Sequence, residues 1–392
     1  MCGEVRRGAL AEINLGAISR NLRAVKRVAG NRPVIAVVKA DAYGHGAVEV
    51  SKRLADCGAA YLAVAFTGEA VALREAGISS PILVLFDKCD VDAFFDYDLI
   101  PVIHDLASAR RFSKEAVRRG RSLDVHLKID TGMGRLGLRT EDVRKEMPAI
   151  AKLSRLNIRG LMSHFSDSDV ADQSYAGAQL KSFLTIRDEV LAASPGPVLC
   201  HMANSAATLF LKEAHLDAVR PGLILYGHSP LQHSASGIRS SEDGKKTKPR
   251  LPGVELMPAM TVKTVILSLR RVRSGVPVSY GRTFITRRDS LIAVLPVGYA
   301  DGYHRALSNN MDVLVKGKRA PVVGRVCMDL IMVDVTEVKG LREKDEVVLL
   351  GKQGTAEITA SEMAGRAGTI PYEILTSIGS GSRKVYVQSG QV

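Results

Sequence analysis

The sequence predicts a (β/α)8 barrel of the TIM type followed by a smaller, mainly antiparallel β-domain. Three observations lead there. The chain has 392 residues, long for one core and comfortable for two. Short β-rich runs alternate with helical stretches up to about residue 245, the texture of a parallel barrel. Beyond about residue 250 the β-rich runs continue without long helices between them, and Gly and Pro punctuate them.

In the first part, residues 34–38, 61–65, 82–86, 99–103, 124–129, 158–163, 198–202 and 216–220 supply eight candidate strands. The intervening segments 67–76, 105–119 and 175–193 have the apolar spacing and the Ala, Leu, Glu and Arg content of helices. The eighth strand has a competitor, since Leu223-Ile224-Leu225-Tyr226 fits the pattern almost equally well. Residues 216–220 are preferred because they put Arg220 at a strand's C-terminal end, where barrels of this kind carry their chemistry. Lys39, Lys128, His164, Asn204, Ser205 and Arg220 all fall at or just after such ends. In the second part the expected strands are 261–269, 291–297, 312–316, 320–326, 330–335 and 346–350. The expected division is a barrel over 10–245 and a β-domain over 246–392, joined by residues 1–9.

Composition excludes several classes. The net charge is +13, yet the excess is spread along the chain without interleaved aromatics, which indicates a solvated basic surface and no nucleic-acid partner. Residues 239–250 hold five basic and two acidic residues and have the polar make-up of a linker. Five cysteines, odd in number and without a C-x-x-C pair, argue against a disulfide scaffold or a structural zinc site. The nine histidines form no H-x-x-x-H or H-E-x-x-H pair, so no metal is expected. The start of the chain lacks the apolar run of a secretion signal, and no stretch is long enough for a membrane span, so the expected location is cytoplasmic.

The most informative residue is Lys39. It ends the apolar run 34–38 and is followed by Ala40-Asp41-Ala42-Tyr43-Gly44-His45-Gly46, which puts an amine at the mouth of the barrel as a Schiff-base candidate. An arbitrary lysine is a solvated strand cap, and here the context overturns that reading. Residues 37–46, VVKADAYGHG, resemble the pyridoxal-phosphate lysine motif of the alanine racemases, enzymes of fold-type III. Residues 125–137, VHLKIDTGMGRLG, and 324–329, GRVCMD, preceded by VGYADGYHR at 297–305, are similar to two further blocks of the same family.

The resemblance implies pyridoxal 5'-phosphate as cofactor, alanine as substrate and a homodimer with its sites at the subunit interface. Racemisation needs proton-transfer groups on both faces of the α-carbon. Lys39 would be one, and Tyr280, in PVSYGRT at 277–283, would be the other, supplied by the partner subunit. Arg220, in 217–227, would contact the cofactor's pyridine nitrogen. An arginine stays protonated, so it can only donate there and leaves the ring a weaker electron sink. Tyr43, Asn204, Ser205, the backbone of Gly222 and Leu223, and Tyr372 match phosphate contacts, with Ser205 doubling as a helix N-cap. His164 would lie beside the ring and Arg220. Arg135 would bond the phenolic oxygen and the substrate carboxylate, steadied by a carbamylated Lys128. The Met328 amide would bind substrate across the dimer. By the same resemblance Tyr299, with Tyr372, would narrow an entrance to which Arg305, Arg325 and Asp172 are also assigned, and such a constriction would favour a small side chain. Cys327 is expected to be a buried small hydrophobe.

The implied function is supply of D-alanine for peptidoglycan. Racemisation of another small amino acid such as serine, and a non-catalytic cofactor-holding role, are the alternatives. The chain departs from the family pattern at Ser166-Asp167-Ser168-Asp169, and 229–250 is longer than usual.

Overall fold

A computed structural model describes residues 8–193, 196–231 and 254–388. Seven parallel strands follow one another around the barrel: Ile35–Val37, Tyr61–Val64, Ile82–Val84, Ile100–Ile103, Leu123–Asp130, Leu156–Met162 and Leu199–His201. Strands Ile35–Val37 and Ile82–Val84 are buried at every position, as expected of strands packed on both faces.

The eighth position is shorter than the sequence suggested. Residues 216–220 form no regular strand, and the circle closes through single parallel bridges, Val34 to Val219 and His201 to Ala218. The Ile35 N–H donates to the Val219 carbonyl at 2.9 Å and the Val37 N–H to the Pro221 carbonyl at 3.0 Å. Leu216, at φ +48°, turns the chain just before this segment, and Pro221 has no N–H to extend it. The rival segment is helical: Leu223–Tyr226 is a 3-10 turn.

The expected helices appear as Thr67–Glu75, Leu106–Arg118 and Ser174–Ala193. Helix Leu15–Ala29 shows how they are built. Ile18, Leu22, Val25 and Ala29 recur three or four residues apart and are buried. Asn14 caps the first turn by accepting the Ala17 N–H, and Gly30 ends the helix at φ +62°.

The second domain's main sheet runs Lys318–Pro321, Asp312–Val315, Glu346–Gln353, Met260–Val265, Leu10–Asn14, Arg383–Val387, with Ala356–Ile358 beside Glu346–Gln353. All its pairs are antiparallel except Leu10–Asn14 with Arg383–Val387. A smaller sheet joins Ser268–Val272, Ser290–Leu295 and Ile331–Asp334. Leu10–Asn14, counted with the barrel from sequence, therefore belongs to the second sheet. Its burial alternates, Ala11 and Ile13 inward, which suits a sheet packed on one face and not a barrel core. Gly8 and Ala9 continue it, through Gly8 N–H to the Pro296 carbonyl and Arg383 N–H to the Ala9 carbonyl. Residues 1–7, the expected division at 245–246 and most of the long 229–250 stretch lie outside the described residues.

Helix Pro371–Gly381 was not anticipated, and it matters most for the site. It packs backbone to backbone on the turn after Lys39: a Cβ on Gly379 would collide with the Gly44 backbone, and one on Gly44 with the Leu375 carbonyl. Among the described residues no helix is long and apolar enough to cross a membrane.

A polar clamp ties the barrel to the segment that leads into the second domain. Buried Asn21 donates through Nδ2 to the Leu225 carbonyl (3.0 Å) and the Met257 carbonyl (2.8 Å), and its Oδ1 accepts the Met257 N–H (2.8 Å). Asn21→Leu keeps the volume and orphans these backbone groups, so it should lower stability by roughly 2–3 kcal/mol. The denaturant midpoint measures this, and an unchanged midpoint would contradict the clamp.

Candidate active site

Lys39 leaves the first barrel strand into an unusual turn. Ala40, Asp41, Ala42 and Tyr43 all have φ between +52° and +54°, a left-handed helical turn built without glycine. Each such residue costs on the order of 1–2 kcal/mol, so the surroundings must hold it. Glu69 Oε1 accepts the Ala40 N–H at 2.6 Å, while its Oε2 accepts the Ala65 N–H at 2.7 Å. Asp41 accepts the Ala47 N–H at 2.7 Å and pairs with Lys384 of the last strand at 3.0 Å. His45 Nδ1 lies 3.0 Å from the carbonyls of Ala42 and Tyr43. Burial holds its imidazole down near a pKa of about 3, so it is neutral and donates.

This turn borders a cavity of about 540 Å³ lined by Lys39, Tyr43, Lys128, Arg135, His164, Asn204, Ser205, Arg220, Gly222 and Tyr372. Ten residues singled out from separate stretches of sequence thus meet in one place. Leu223 is buried and does not line it.

Arg220 is 3% exposed. One guanidinium nitrogen donates to His201 Nδ1 at 2.6 Å, and the other to the Ser163 carbonyl at 2.7 Å and to His164 Nδ1 at 3.1 Å. Because His201 Nδ1 accepts, its proton is on Nε2, which donates to His126 Nδ1 at 2.8 Å. Gly160 makes room for this chain, since a Cβ there would overlap the His126 ring. Burial first, and Arg220 second, hold His164 and His201 well below the usual range and His126 at about 4. The histidines are therefore neutral. Burial and Arg135 lower Arg220 itself only to about 10, so it stays cationic at neutral pH.

Burial, then Arg220 and Arg135, bring the Lys128 amine down to about 7. Lys39 is lowered by burial and by Arg135, with Glu69 acting in the opposite direction. The Lys39 ammonium and the Arg135 guanidinium lie 5.4 and 5.3 Å from the Phe86 ring centroid. The loop carrying Arg135 is folded around Asp130, whose carboxylate accepts the N–H groups of Gly132, Met133, Gly134 and Arg135 at 2.8–3.1 Å. Burial raises the Tyr43 and Tyr372 hydroxyls, Tyr372 to about 12, so both stay protonated.

Helix Ser205–Phe210 is capped by Asn204, whose Oδ1 accepts the Ala207 N–H, and not by Ser205 as the sequence suggested. The Ser205 hydroxyl instead accepts the Gly222 N–H at 2.9 Å. Sequence reasoning missed Glu69, Phe86, His126 and His201. The histidines carried a weak signal, each lying in an expected strand with its side chain free to point inward.

The remaining candidates do not line this cavity within one chain. Tyr280 is 70% exposed and Met328 53%; Tyr299, Arg305, Arg325 and Asp172 are exposed as well. Tyr280 and Cys327 border a second cavity of about 570 Å³ in the β-domain. Ser279 joins their two loops by donating to the Arg325 carbonyl at 2.6 Å. Cys327 is half-buried, more open than expected, because it sits in this loop and not in a strand. Among the described residues no cluster of three metal-ligating side chains occurs.

Residues 13–230 match the family described as alanine racemase, N-terminal domain, and residues 259–386 match alanine racemase, C-terminal domain. An alanine racemase of Thermodesulfovibrio yellowstonii is 49% identical over 381 residues, 96% of this chain and 97% of the relative. The solved alanine racemase of Bacillus anthracis with bound L-Ala-P superposes with a TM-score of 0.88 at 34% identity, covering 99% of this chain and 97% of that one. That of Bartonella henselae with covalently bound pyridoxal phosphate has a TM-score of 0.83 at 29% identity, covering 97% and 100%. With both of its domains matched and relatives similar over nearly its full length, the chain belongs to the alanine racemase family.

Proposed function

We propose that L-alanine and D-alanine are interconverted in the Lys39 cavity, with pyridoxal phosphate bound there and Tyr280 supplied by the partner subunit of a homodimer. The observation that carries this reading is the convergence of two lysine amines, two guanidinium groups and several neutral donors around one cavity.

The donor set fits that cofactor. Arg220 and Arg135 offer fixed positive charge, while Tyr43, Ser205 and Asn204 offer neutral donors for a phosphate. A Cβ on Gly222 would overlap the Tyr43 hydroxyl, so glycine is what lets that hydroxyl and the Gly222 backbone share one corner. When bound, pyridoxal phosphate would supply the electron-withdrawing conjugation that acidifies the α-hydrogen of the amino acid.

Lys39 would hold the cofactor covalently; its amine, once displaced by substrate, moves the proton on one face of the α-carbon. Burial and Arg135 favour the neutral amine that this requires. The partner subunit's Tyr280 moves the proton on the other face. Arg220 keeps its own proton and is held by neutral histidines, so it would hold the cofactor's ring nitrogen as a donor without passing a proton to it. Arg135 orients the substrate carboxylate, joined by the Met328 amide of the partner subunit. Tyr372 and the partner subunit's Tyr299 limit the entrance to small side chains. Arg305, Arg325 and Asp172 complete the approach. A D-alanine supply for peptidoglycan in the cytoplasm is the matching role.

Proton NMR of L-alanine in D₂O, with enantiomer analysis of the same sample, tests the reaction. Loss of the α-proton together with D-alanine is expected; exchange with serine alone, or cofactor uptake without exchange, would replace this reading. Lys39→Ala should abolish turnover, and Tyr280→Phe should slow it by about 10²–10⁴-fold. Mixing the two weak variants should restore activity through heterodimers that contain one intact site, and no recovery would refute supply of Tyr280 by the partner.

Lys128 is proposed to be carbamylated, which would place an anion between Arg135 and Arg220. Only a neutral amine reacts with CO₂. With its pKa lowered to about 7, the reactive fraction rises through neutrality. Protein equilibrated with ¹³C-bicarbonate should show a carbamate resonance that grows from about pH 6 to about pH 8 and is lost in Lys128→Arg. A spectrum without that resonance would mean a bare amine.

A further inference from the structure

We infer that Ser168 is a positioning residue for the anionic end of the cofactor, its hydroxyl fixing the Asn204 side chain so that only N–H donors face the cavity. The inference rests on the proposal that the cavity binds pyridoxal phosphate.

Ser168 is 2% exposed. Its hydroxyl donates to Asn204 Oδ1 at 2.9 Å, and the same oxygen accepts the Ala207 N–H at 3.0 Å. An amide oxygen has two lone pairs, and both are therefore engaged. The side chain that remains for the cavity is the NH₂ group, which can donate and cannot accept. A phosphate oxygen gains from such a face, and an oxygen turned toward it would repel it. The Ala207 N–H alone fixes one direction of the amide; Ser168 adds the second and removes the freedom to rock about the cap.

The neighbouring contacts are separable from this one. Gln173 Nε2 reaches the Ser168 backbone carbonyl, and Ser166 bonds Gln179, so neither uses the Ser168 hydroxyl. Ser168→Ala thus removes one donor and leaves the packing of the segment in place.

The test is a titration of full-length protein freed of cofactor, wild type and Ser168→Ala, with pyridoxal phosphate and in parallel with pyridoxal, followed by bound-ligand absorbance. Both ligands can react with Lys39, and only one carries a phosphate. Ser168→Ala should raise the dissociation constant for pyridoxal phosphate by roughly 3- to 10-fold, the loss of about one hydrogen bond, and leave that for pyridoxal unchanged. The ³¹P resonance of the bound cofactor should shift. In an Asn204→Ala background the same substitution should add nothing, since its effect passes through Asn204. Equal losses for both ligands, or an undiminished effect without Asn204, would overturn the inference. A variant indistinguishable from wild type would overturn it alone, whereas a wild type that takes up neither ligand would overturn the parent reading with it.

Discussion

The left-handed turn from Ala40 to Tyr43 is the constraint on which the rest of the molecule depends. Four side-chain-bearing residues in that conformation cost several kcal/mol together, and no local sequence preference offsets this. The offset comes from outside the turn. Glu69 reaches it from helix Thr67–Glu75, Lys384 from the last strand of the β-domain, and helix Pro371–Gly381 lies directly on its backbone. In return the turn places Lys39 and Tyr43 on one cavity wall, four residues apart, with Tyr43 packed against Tyr226 and Tyr372. A right-handed turn of the same length would direct these side chains differently, because handedness decides which face successive residues occupy.

Charge in the cavity is governed by how little of it the histidines carry. Arg220 is buried among His164, His201 and, one step further, His126, and protonating any of them would set two cations side by side away from water. The guanidinium wins because its intrinsic pKa is far higher. Once it is charged, its hydrogen bonds fix the His201 tautomer, and the hydrogen bond to His126 then has only one possible direction. On this side of the cavity the charge is thus held by Arg220 and relayed by neutral residues, while Arg135 supplies the second fixed charge.

Much of this was legible in the sequence, for different reasons in different places. The barrel strands Ile35–Val37 and Ile82–Val84 are recognisable because they are buried on both faces and read as continuous apolar runs. The eighth was ambiguous because Val219 and Leu223–Tyr226 are equally apolar, and the pattern does not encode a closure made of two bridges. Leu10–Asn14 was misassigned because sequence order suggested the barrel, although its alternating burial belongs to a one-faced sheet. The residues around the cavity could be named from motif blocks, whereas the supporting shell could not. Glu69 lies 30 positions from Lys39 and is an ordinary helix glutamate by pattern, and only the fold brings it to the Ala40 N–H.

The contact between Gly44 and Gly379 has a consequence for how the cavity mouth can change. Tyr372 belongs to the same helix as Gly379, and at Gly44 that helix meets the lysine turn backbone to backbone, while Tyr43 and Tyr372 face each other beside that contact. At that contact the spacing is main chain against main chain, with nothing compressible in the gap. Trimming a lining side chain enlarges the volume by that side chain alone. A wider aperture would require the two backbones to separate, and with them the turn that holds the amine. The seat of this helix and the turn that carries Lys39 are therefore mechanically one unit, so a change that shifts the helix at Gly379 also shifts the turn.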